Sequence, residues 1–301
     1  MENLSSDVRT VSSSLTTMLE QEEAHYSVNL PQHFHETTDI ASDRRKIADW
    51  CFGVVDFWNF ERQLVSQAMN MADRVLSTNQ SYDSGTYQML AVVSLFTALK
   101  ASGEAPPTAA EYARACGGTY TKDEIVAVEL YILQKLSWRI WAPGSLQVAH
   151  HILSLMKARL VKHQLDRNTW DSLVDEVHFQ TECATREGKL ASVRGSSVAV
   201  VSILNAIDLV QEDRIDWRLM GITKRERLDT ALMGVLKGFH FGFDLDKMLI
   251  AERKALKHAV RVADEIQSKM PTHDAAPKEA KSSRRASSCS VSSPIDTSSR
   301  I

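Results

Sequence analysis

The 301-residue sequence contains few residues that interrupt helices, with only 12 glycines and 7 prolines. The alternation of polar and apolar residues that marks a half-buried strand is nearly absent, whereas apolar residues recur every three or four positions. Four cysteines, Cys51, Cys116, Cys183 and Cys289, show no C-x-x-C spacing, which favours free thiols over a disulfide framework. These absences predict an all-α protein of a reducing compartment.

Neither sign of charge dominates the chain, because 35 Lys and Arg residues stand beside 38 Asp and Glu residues and the net charge is -3. This balance gives no global positive field, so we expect no nucleic acid and no membrane as a partner. No apolar run reaches the roughly 18 residues that a membrane span requires. Residues 1–14 are polar and acidic, unlike a secretory signal, and we therefore expect an intracellular protein.

Motifs that carry catalysis are also missing. The phosphate-binding loop, the dinucleotide fingerprint, the G-x-S-x-G elbow and H-E-x-x-H occur nowhere in the sequence. The segment His33-Phe34-His35-Glu36 lacks a second ligand cluster, and His150 and His151 point to different faces of a helix, which favours packing over metal binding. We expect no metal, no cofactor and no catalytic residue, although an enzyme built from dispersed residues stays open.

Helical periodicity divides the chain into two similar series. Candidates of the first series begin near Ser42 and continue over 60–77, 87–99, 109–116 and 121–137, and those of the second cover 145–162, 169–186, 190–210, 223–240 and 244–269. Thr121 with Glu124, and Thr223 with Glu226, form capping boxes that place two helix starts. The repeated pattern suggests duplication of a roughly hundred-residue helical unit.

These patterns predict four regions. Residues 1–39 form an N-terminal segment with a short helix, about 15–26, and residues 40–141 and 142–270 form the two helical units. From about residue 271 the composition turns to serine and basic residues with almost nothing to bury, so we expect a disordered tail over 271–301.

Buried charges draw attention to two pairs of residues. Glu129 lies on the apolar stripe of the helix after Thr121, and Lys100 ends the apolar run 89–99. Three explanations of these charges stay open: a structural ion pair, compensation of the helix dipole, or a charge reserved for a partner. Asp73 lies among apolar residues and needs a buried cation, which Arg44 can supply as a bidentate donor.

Three segments of the first unit resemble the cyclin family. Arg44 to Trp50 is similar to the family's box-opening Met-Arg-Ala-Ile-Leu-Val-Asp-Trp, and Ala72 to Ser77 is similar to Ile-Asp-Arg-Phe-Leu-Ser. Tyr120-Thr121-Lys122, followed by Glu129 and Leu133, resembles Tyr-Thr-Lys...Met-Glu...Leu-Leu. The resemblance spans about 40–141 and implies two tandem five-helix cyclin-type units, with weaker support for the second.

The resemblance implies a regulatory subunit that binds and activates a cyclin-dependent protein kinase, controls cell-cycle progression and has no enzymatic activity of its own. The resemblance also implies that the family's kinase-contacting positions correspond to five residues of this chain: Lys100, Glu129, Leu133, Trp138 and Ile140. Arg44 and Asp73 match the family's internal ion pair. The family also implies a location in nucleus and cytoplasm, and protein substrates or inhibitors as further partners.

Several positions depart from the family pattern. The Phe-Glu-Glu that follows the groove lysine is replaced by residues 101–103, Ala-Ser-Gly, which predicts altered partner affinity or choice. Ile47, Trp50 and Gln88 match a patch that docks Arg-x-Leu segments of substrates, but Asp43 and Lys46 replace its usual Met and Ile. We therefore expect weakened docking at this patch.

The tail carries two candidate phosphorylation sites. Ser287 follows Arg284-Arg285-Ala286, as basic-directed kinases require, and Ser293 precedes Pro294, the minimal proline-directed site. Two alternatives to a cell-cycle cyclin remain on sequence grounds. One is a transcriptional or nutrient-responsive cyclin, and the other is a IIB-like transcription factor, which also uses cyclin-type repeats but needs a zinc ribbon and basic surfaces.

Overall fold

The computed structural model describes residues 2–30, 38–78, 83–103, 105–160, 165–210, 223–242 and 249–269. Within these ranges the chain forms eleven α-helices, one short 3-10 helix and no strand, which confirms the all-α prediction. The helices are α1 Glu2–His25, α2 Thr38–Phe57, α3 Gln63–Ser77, α4 Ser84–Ala101, α5 Ala109–Ala115, α6 Lys122–Lys135, α7 Ser145–Arg159, α8 Arg167–Arg186, α9 Gly195–Asp208, α10 Lys224–Leu236 and α11 Leu249–Lys269. Among these helices, none has the length and apolar character needed to span a bilayer.

Side-chain caps explain where several helices begin. The two expected capping boxes are present at Thr121 and Thr223, and a third, at Thr108, opens α5. Asp83 caps α4 by accepting a hydrogen bond from the Thr86 backbone N at 2.7 Å. Each cap satisfies a backbone donor that the first helical turn leaves unpaired, so local sequence places these helix starts within a residue or two.

Two hydrophobic cores organise the helices. The first core surrounds α4, whose residues 90–99 are all buried, and is built almost entirely from α2 to α6. The second core is built from α7 to α11 together with α1. Apart from α1 and Ala191, the residues of the two cores separate near residue 142, where a boundary is expected, and the boundaries themselves stay a prediction.

The N-terminal helix differs from the short helix that we predicted. It spans 24 residues, and Leu15, Met18 and Leu19 enter the second core although the first unit follows directly in sequence. Val8 and Val11 extend the same stripe toward the N-terminus. Serine and threonine between these apolar positions hide the helical period, and only packing on α7 makes the longer helix favourable.

Other helix ends differ by a few residues from their predicted positions. The start of α9 shifts by five residues, to Gly195 instead of near 190, because residues 188–190 form a 3-10 turn that the Glu187 side chain caps. The Glu22 carboxylate then accepts a hydrogen bond at 3.0 Å from the Ser196 backbone N, in the first turn of α9. A helix start satisfied by a residue of α1 leaves no local sequence signal.

Charged side chains join the two units. Arg62 of the first unit donates to both carboxylate oxygens of Glu182 in α8, at 2.9 and 2.8 Å, and also contacts Asp56 at 2.5 Å. Burial would lower the pKa of Arg62, but the bonds and charges of Glu182 and Asp56 outweigh burial and raise it. The guanidinium carbons of Arg62 and Arg186 lie 4.5 and 4.0 Å from the centroid of the Phe52 ring.

Candidate partner-binding surface

Lys100 and Glu129 pair with each other. Lys100, in the last turn of α4, directs its Nζ at both carboxylate oxygens of Glu129 in α6, at distances of 2.9 and 2.8 Å. Glu129 is only 7% exposed, as its position on the apolar stripe predicts, whereas the Lys100 side chain is 46% exposed. The ion pair therefore compensates the buried carboxylate in the free chain and leaves the ammonium accessible at the surface.

An apolar surface surrounds this ion pair. On α6, Val126 and Leu130 are 47% and 49% exposed, and Leu133, one turn further along, is half-buried. Spacings of three and four residues place these side chains on one side of the helix next to Glu129. Contiguous exposed apolar area of this kind marks a binding surface in soluble proteins. We call Lys100, Glu129, Val126, Leu130, Leu133, Trp138 and Ile140 the partner face.

The backbone after α6 presents Trp138 to solvent. Ser137 and Trp138 both adopt left-handed conformations, with φ of 50° and 63°, and the Trp138 N donates to the Leu133 carbonyl at 2.8 Å. The indole is 66% exposed, and Ile140 is half-buried. A bulky residue rarely adopts a positive φ, and such strained positions concentrate at functional sites.

Sequence reasoning missed Val126 and Leu130, although a signal was present. Residues 125–133 contain more apolar side chains than one buried stripe needs, which indicates a second apolar face. The left-handed turn left no such signal, because neither Ser137 nor Trp138 is a residue that favours positive φ. The partner-face residues named from sequence stay a prediction as kinase contacts.

The predicted ion pair of Arg44 and Asp73 is present and lies in the interior. Arg44 Nη1 lies 2.6 Å from Asp73 Oδ1, and both residues are almost completely buried. The same Nη1 donates to the Tyr87 hydroxyl at 2.6 Å, and that hydroxyl donates to Asp73 Oδ1 at 3.0 Å. Sequence reasoning did not identify Tyr87, whose pKa burial raises well above its usual value.

The residues of the expected substrate-docking patch are buried. Ile47, Trp50 and Gln88 are 0%, 9% and 1% exposed, so these side chains offer a peptide almost no accessible surface. Trp50 packs edge-on against Tyr112, with ring centroids 6.4 Å apart. Ile47 and Trp50 belong to the first core and Gln88 is a buried polar residue, and docking at this patch stays an untested expectation.

The described residues bear on the metal and cysteine predictions. Among the described residues no group of three or more His, Cys, Asp or Glu side chains converges on a possible metal position. Cys51, Cys116 and Cys183 are buried free thiols, and burial raises the pKa of Cys116 to about 12. The segment 33–36, Cys289, Ser287 and Ser293 lie outside the described residues.

Comparison with known proteins identifies the first half of the chain. Residues 13–141 match the family described as cyclin, N-terminal domain. This part of the chain is a cyclin domain. Cyclin-E1 of Gallus gallus is 29% identical over 114 residues, covering 36% of this chain and 28% of the relative. Cyclin-B3 of Caenorhabditis elegans is 24% identical over 123 residues, covering 41% of this chain and 32% of the relative.

Structural similarity extends beyond this cyclin domain. A viral cyclin from Herpesvirus saimiri superposes with a TM-score of 0.53 at 13% identity, covering 85% of this chain and 99% of the viral protein. At this identity the likeness shows the fold alone, and it extends into the second helical unit. The chain spans about a third or less of the length of the curated cyclins that it matches.

Proposed function

We propose that this chain is a regulatory subunit that binds and activates a cyclin-dependent protein kinase and has no catalytic activity of its own. The observation that carries the proposal is the partner face on a cyclin domain, where exposed apolar side chains surround the Lys100–Glu129 ion pair. The relatives named G1/S-specific and G2/mitotic-specific cyclins support a role in cell-cycle progression. We also propose that the protein acts in nucleus and cytoplasm.

The partner face suits an amphipathic helix of the kinase. Val126, Leu130 and Trp138 would bury apolar side chains of that helix, which supplies most of the binding free energy. The accessible Lys100 ammonium has donor capacity beyond Glu129, so it can donate to exposed kinase carbonyls at the rim of the contact. Apolar burial would therefore provide affinity, and the ion pair would fix the orientation of the partner.

A transcriptional or nutrient-responsive cyclin is the main alternative within the family, and the identity of the bound kinase separates the two. A IIB-like transcription factor is disfavoured, because the sequence has no zinc-ribbon cysteine spacing and its net charge is -3. Protein substrates or inhibitors of the kinase are expected as additional partners.

Exchanging the two charges of the ion pair tests the proposal. The double variant Lys100→Glu with Glu129→Lys keeps an internal ion pair of reversed polarity, so we expect it to melt close to the wild-type temperature. Its rim charge faces the kinase with the wrong sign, and affinity purification with mass spectrometry should recover a kinase with the wild-type chain and much less with the variant.

The matched control is Asp171→Lys, which reverses a charge on an exposed surface of α8 and should retain the kinase. The single variant Glu129→Lys is less informative, because it places two ammonium groups together and lowers stability as well as binding. Recovery of no cyclin-dependent kinase with the wild-type chain would refute the proposed function. Equal recovery of the kinase with the wild-type chain and the double variant would show that the ion pair does not contribute to the interface.

A further inference from the structure

Two arginines meet where α1, α3 and the segment after α6 come together. Arg74 donates from Nη2 to the Arg139 carbonyl at 2.8 Å, and its guanidinium carbon lies 4.7 Å from the Tyr26 ring centroid. Arg139 Nη1 lies 3.0 Å from His25 Nδ1. Because an arginine can only donate, His25 Nδ1 is the acceptor of this hydrogen bond. We call Arg74, Arg139 and His25 the arginine cluster.

The positive charge of this cluster lacks a counterion among the described residues. Arg44 and Arg62 each pair with at least one carboxylate, whereas no described carboxylate forms an ion pair with Arg74 or Arg139. Arg74 is only 7% exposed, and its Nη1 is buried without a hydrogen-bond partner. Uncompensated burial of a charge is costly, so this arrangement needs a reason outside the described fold.

Electrostatics at Arg74 agree with the missing counterion. Burial lowers the pKa of its guanidinium group, and the positive charge of Arg139 adds to that lowering against the opposing effect of Tyr26. The two guanidinium groups thus repel each other, and that of Arg74 is poorly solvated. An anion bound beside Arg139 would relieve this repulsion and would be attracted by both charges.

The position of Arg139 in the chain indicates that the anion belongs to a partner protein. Arg139 lies between Trp138 and Ile140 of the partner face, and both Trp138 and Arg139 are exposed. A protein that covers the Trp138 indole therefore also covers the exposed guanidinium group. A free ion would neutralise Arg139 but would leave the apolar surface beside it in water.

We propose that Arg139, reinforced by Arg74, binds an oxyanion on the surface of the protein that covers Trp138. The chemistry is that of a carboxylate or a phosphate, to which a guanidinium group donates two parallel hydrogen bonds. One of the five donors of Arg139 is used by His25, so donors remain for this contact. The inference rests on the proposed function in identifying that protein as a kinase.

The anion site is tested first on the free chain, without a kinase. Melting temperature is measured with increasing inorganic phosphate and, at matched ionic strength, with chloride. We expect phosphate to stabilise the wild-type chain more than chloride does. In Arg139→Asp the new carboxylate pairs with Arg74, so the variant should melt higher than wild type without phosphate and should lose the phosphate response.

Arg261→Asp, an exposed position of α11, is the matched control and should keep the phosphate response. A wild-type chain that responds equally to phosphate and chloride would overturn the anion site. The same conclusion follows if Arg139→Asp responds as strongly as the wild type, because the phosphate would then bind elsewhere.

The second test measures affinity for the kinase that copurifies with the wild-type chain. We expect roughly tenfold weaker binding for Arg139→Asp, a smaller loss for Arg139→Gln, and unchanged binding for Arg261→Asp. Phosphatase treatment of the kinase distinguishes a phosphate from a carboxylate. The treatment should weaken wild-type binding if the anion is a phosphate and should have no effect if it is a carboxylate.

Equal binding by the wild type and both Arg139 variants would overturn this inference and leave the proposed function intact. If no kinase binds the wild-type chain, the proposed function fails together with the assignment of the partner. A phosphate response of the free chain would in that case still establish the anion site.

Discussion

Arg44, Asp73 and Tyr87 illustrate how a single buried charge organises the first core. Three hydrogen bonds of 2.6 to 3.0 Å connect the three side chains, which come from α2, α3 and α4. Each bond involves an ionised group in a place that water does not reach, so loss of one member removes two of the three bonds and leaves the remaining two side chains with one. The triad fixes how three helices cross.

Substituting Arg44→Ala should lower the free energy of unfolding by roughly 3 to 5 kcal/mol, because the buried Asp73 carboxylate loses the positive charge of Arg44. Tyr87→Phe removes one hydroxyl from the same network and should cost about 1.5 to 3 kcal/mol. Denaturant unfolding of the two variants measures both values. A wild-type midpoint in Arg44→Ala would contradict the burial of the pair in solution.

At the scale of a structural element, the turn after α6 lowers stability and keeps the Trp138 side chain exposed. Two successive residues without glycine's freedom adopt positive φ there, which costs about 1 to 2 kcal/mol each. That conformation holds Trp138 outside the core although its indole is large enough to fill one. The strain is consistent with selection for a binding surface over stability.

Replacing Ser137 with glycine should therefore raise stability by about 1 kcal/mol or less and leave partner binding unchanged.

Trp138→Gly should leave stability near the wild-type value, because little indole area is buried, but it should weaken binding of the copurified kinase. Thermal melts and affinity measurements on both variants separate the two effects. Asn59→Gly, at another positive φ, is the control that should not affect binding. If Trp138→Gly binds the kinase as well as the wild type does, the indole does not contribute to binding.

Across the whole molecule, the relative placement of the two units depends on a few polar contacts. Arg62 and Glu182 form a bidentate pair, Arg186 donates to Asp49 at 2.6 Å, and the Gln67 amide bonds to the backbone carbonyl and N of Ala142. Packing of α1 on α7 adds the N-terminal helix to the second unit. Polar contacts of this kind define one orientation, whereas apolar contact alone tolerates sliding.

A double-mutant cycle on Arg62→Ala and Glu182→Ala measures this coupling. The pair is partly buried and bidentate, so we expect a coupling energy of about 1 kcal/mol, above the usual value for exposed pairs. Each single variant should also make unfolding of the two units less cooperative. Additive effects of the two substitutions would show that the pair does not couple the units.

Local signals in the sequence determined the helical class, the starts of α6 and α10, and the presence of a buried cation for Asp73. Those signals act over three or four residues, through caps and periodicity, and they operate before any tertiary contact forms. Family motifs in 44–50, 72–77 and 120–129 added the cyclin domain, because their spacing along the chain is a sequence property.

Only the tertiary structure decided that Lys100 neutralises Glu129, that Tyr87 joins Arg44, and that α1 belongs to the second core. It also brought Arg74 and Arg139 together without a described counterion. Each of these contacts joins residues that are far apart in sequence, and either partner alone has an ordinary local explanation. Their pairing depends on how helices cross, which is set by the packing of both cores and leaves no periodic signal in the chain.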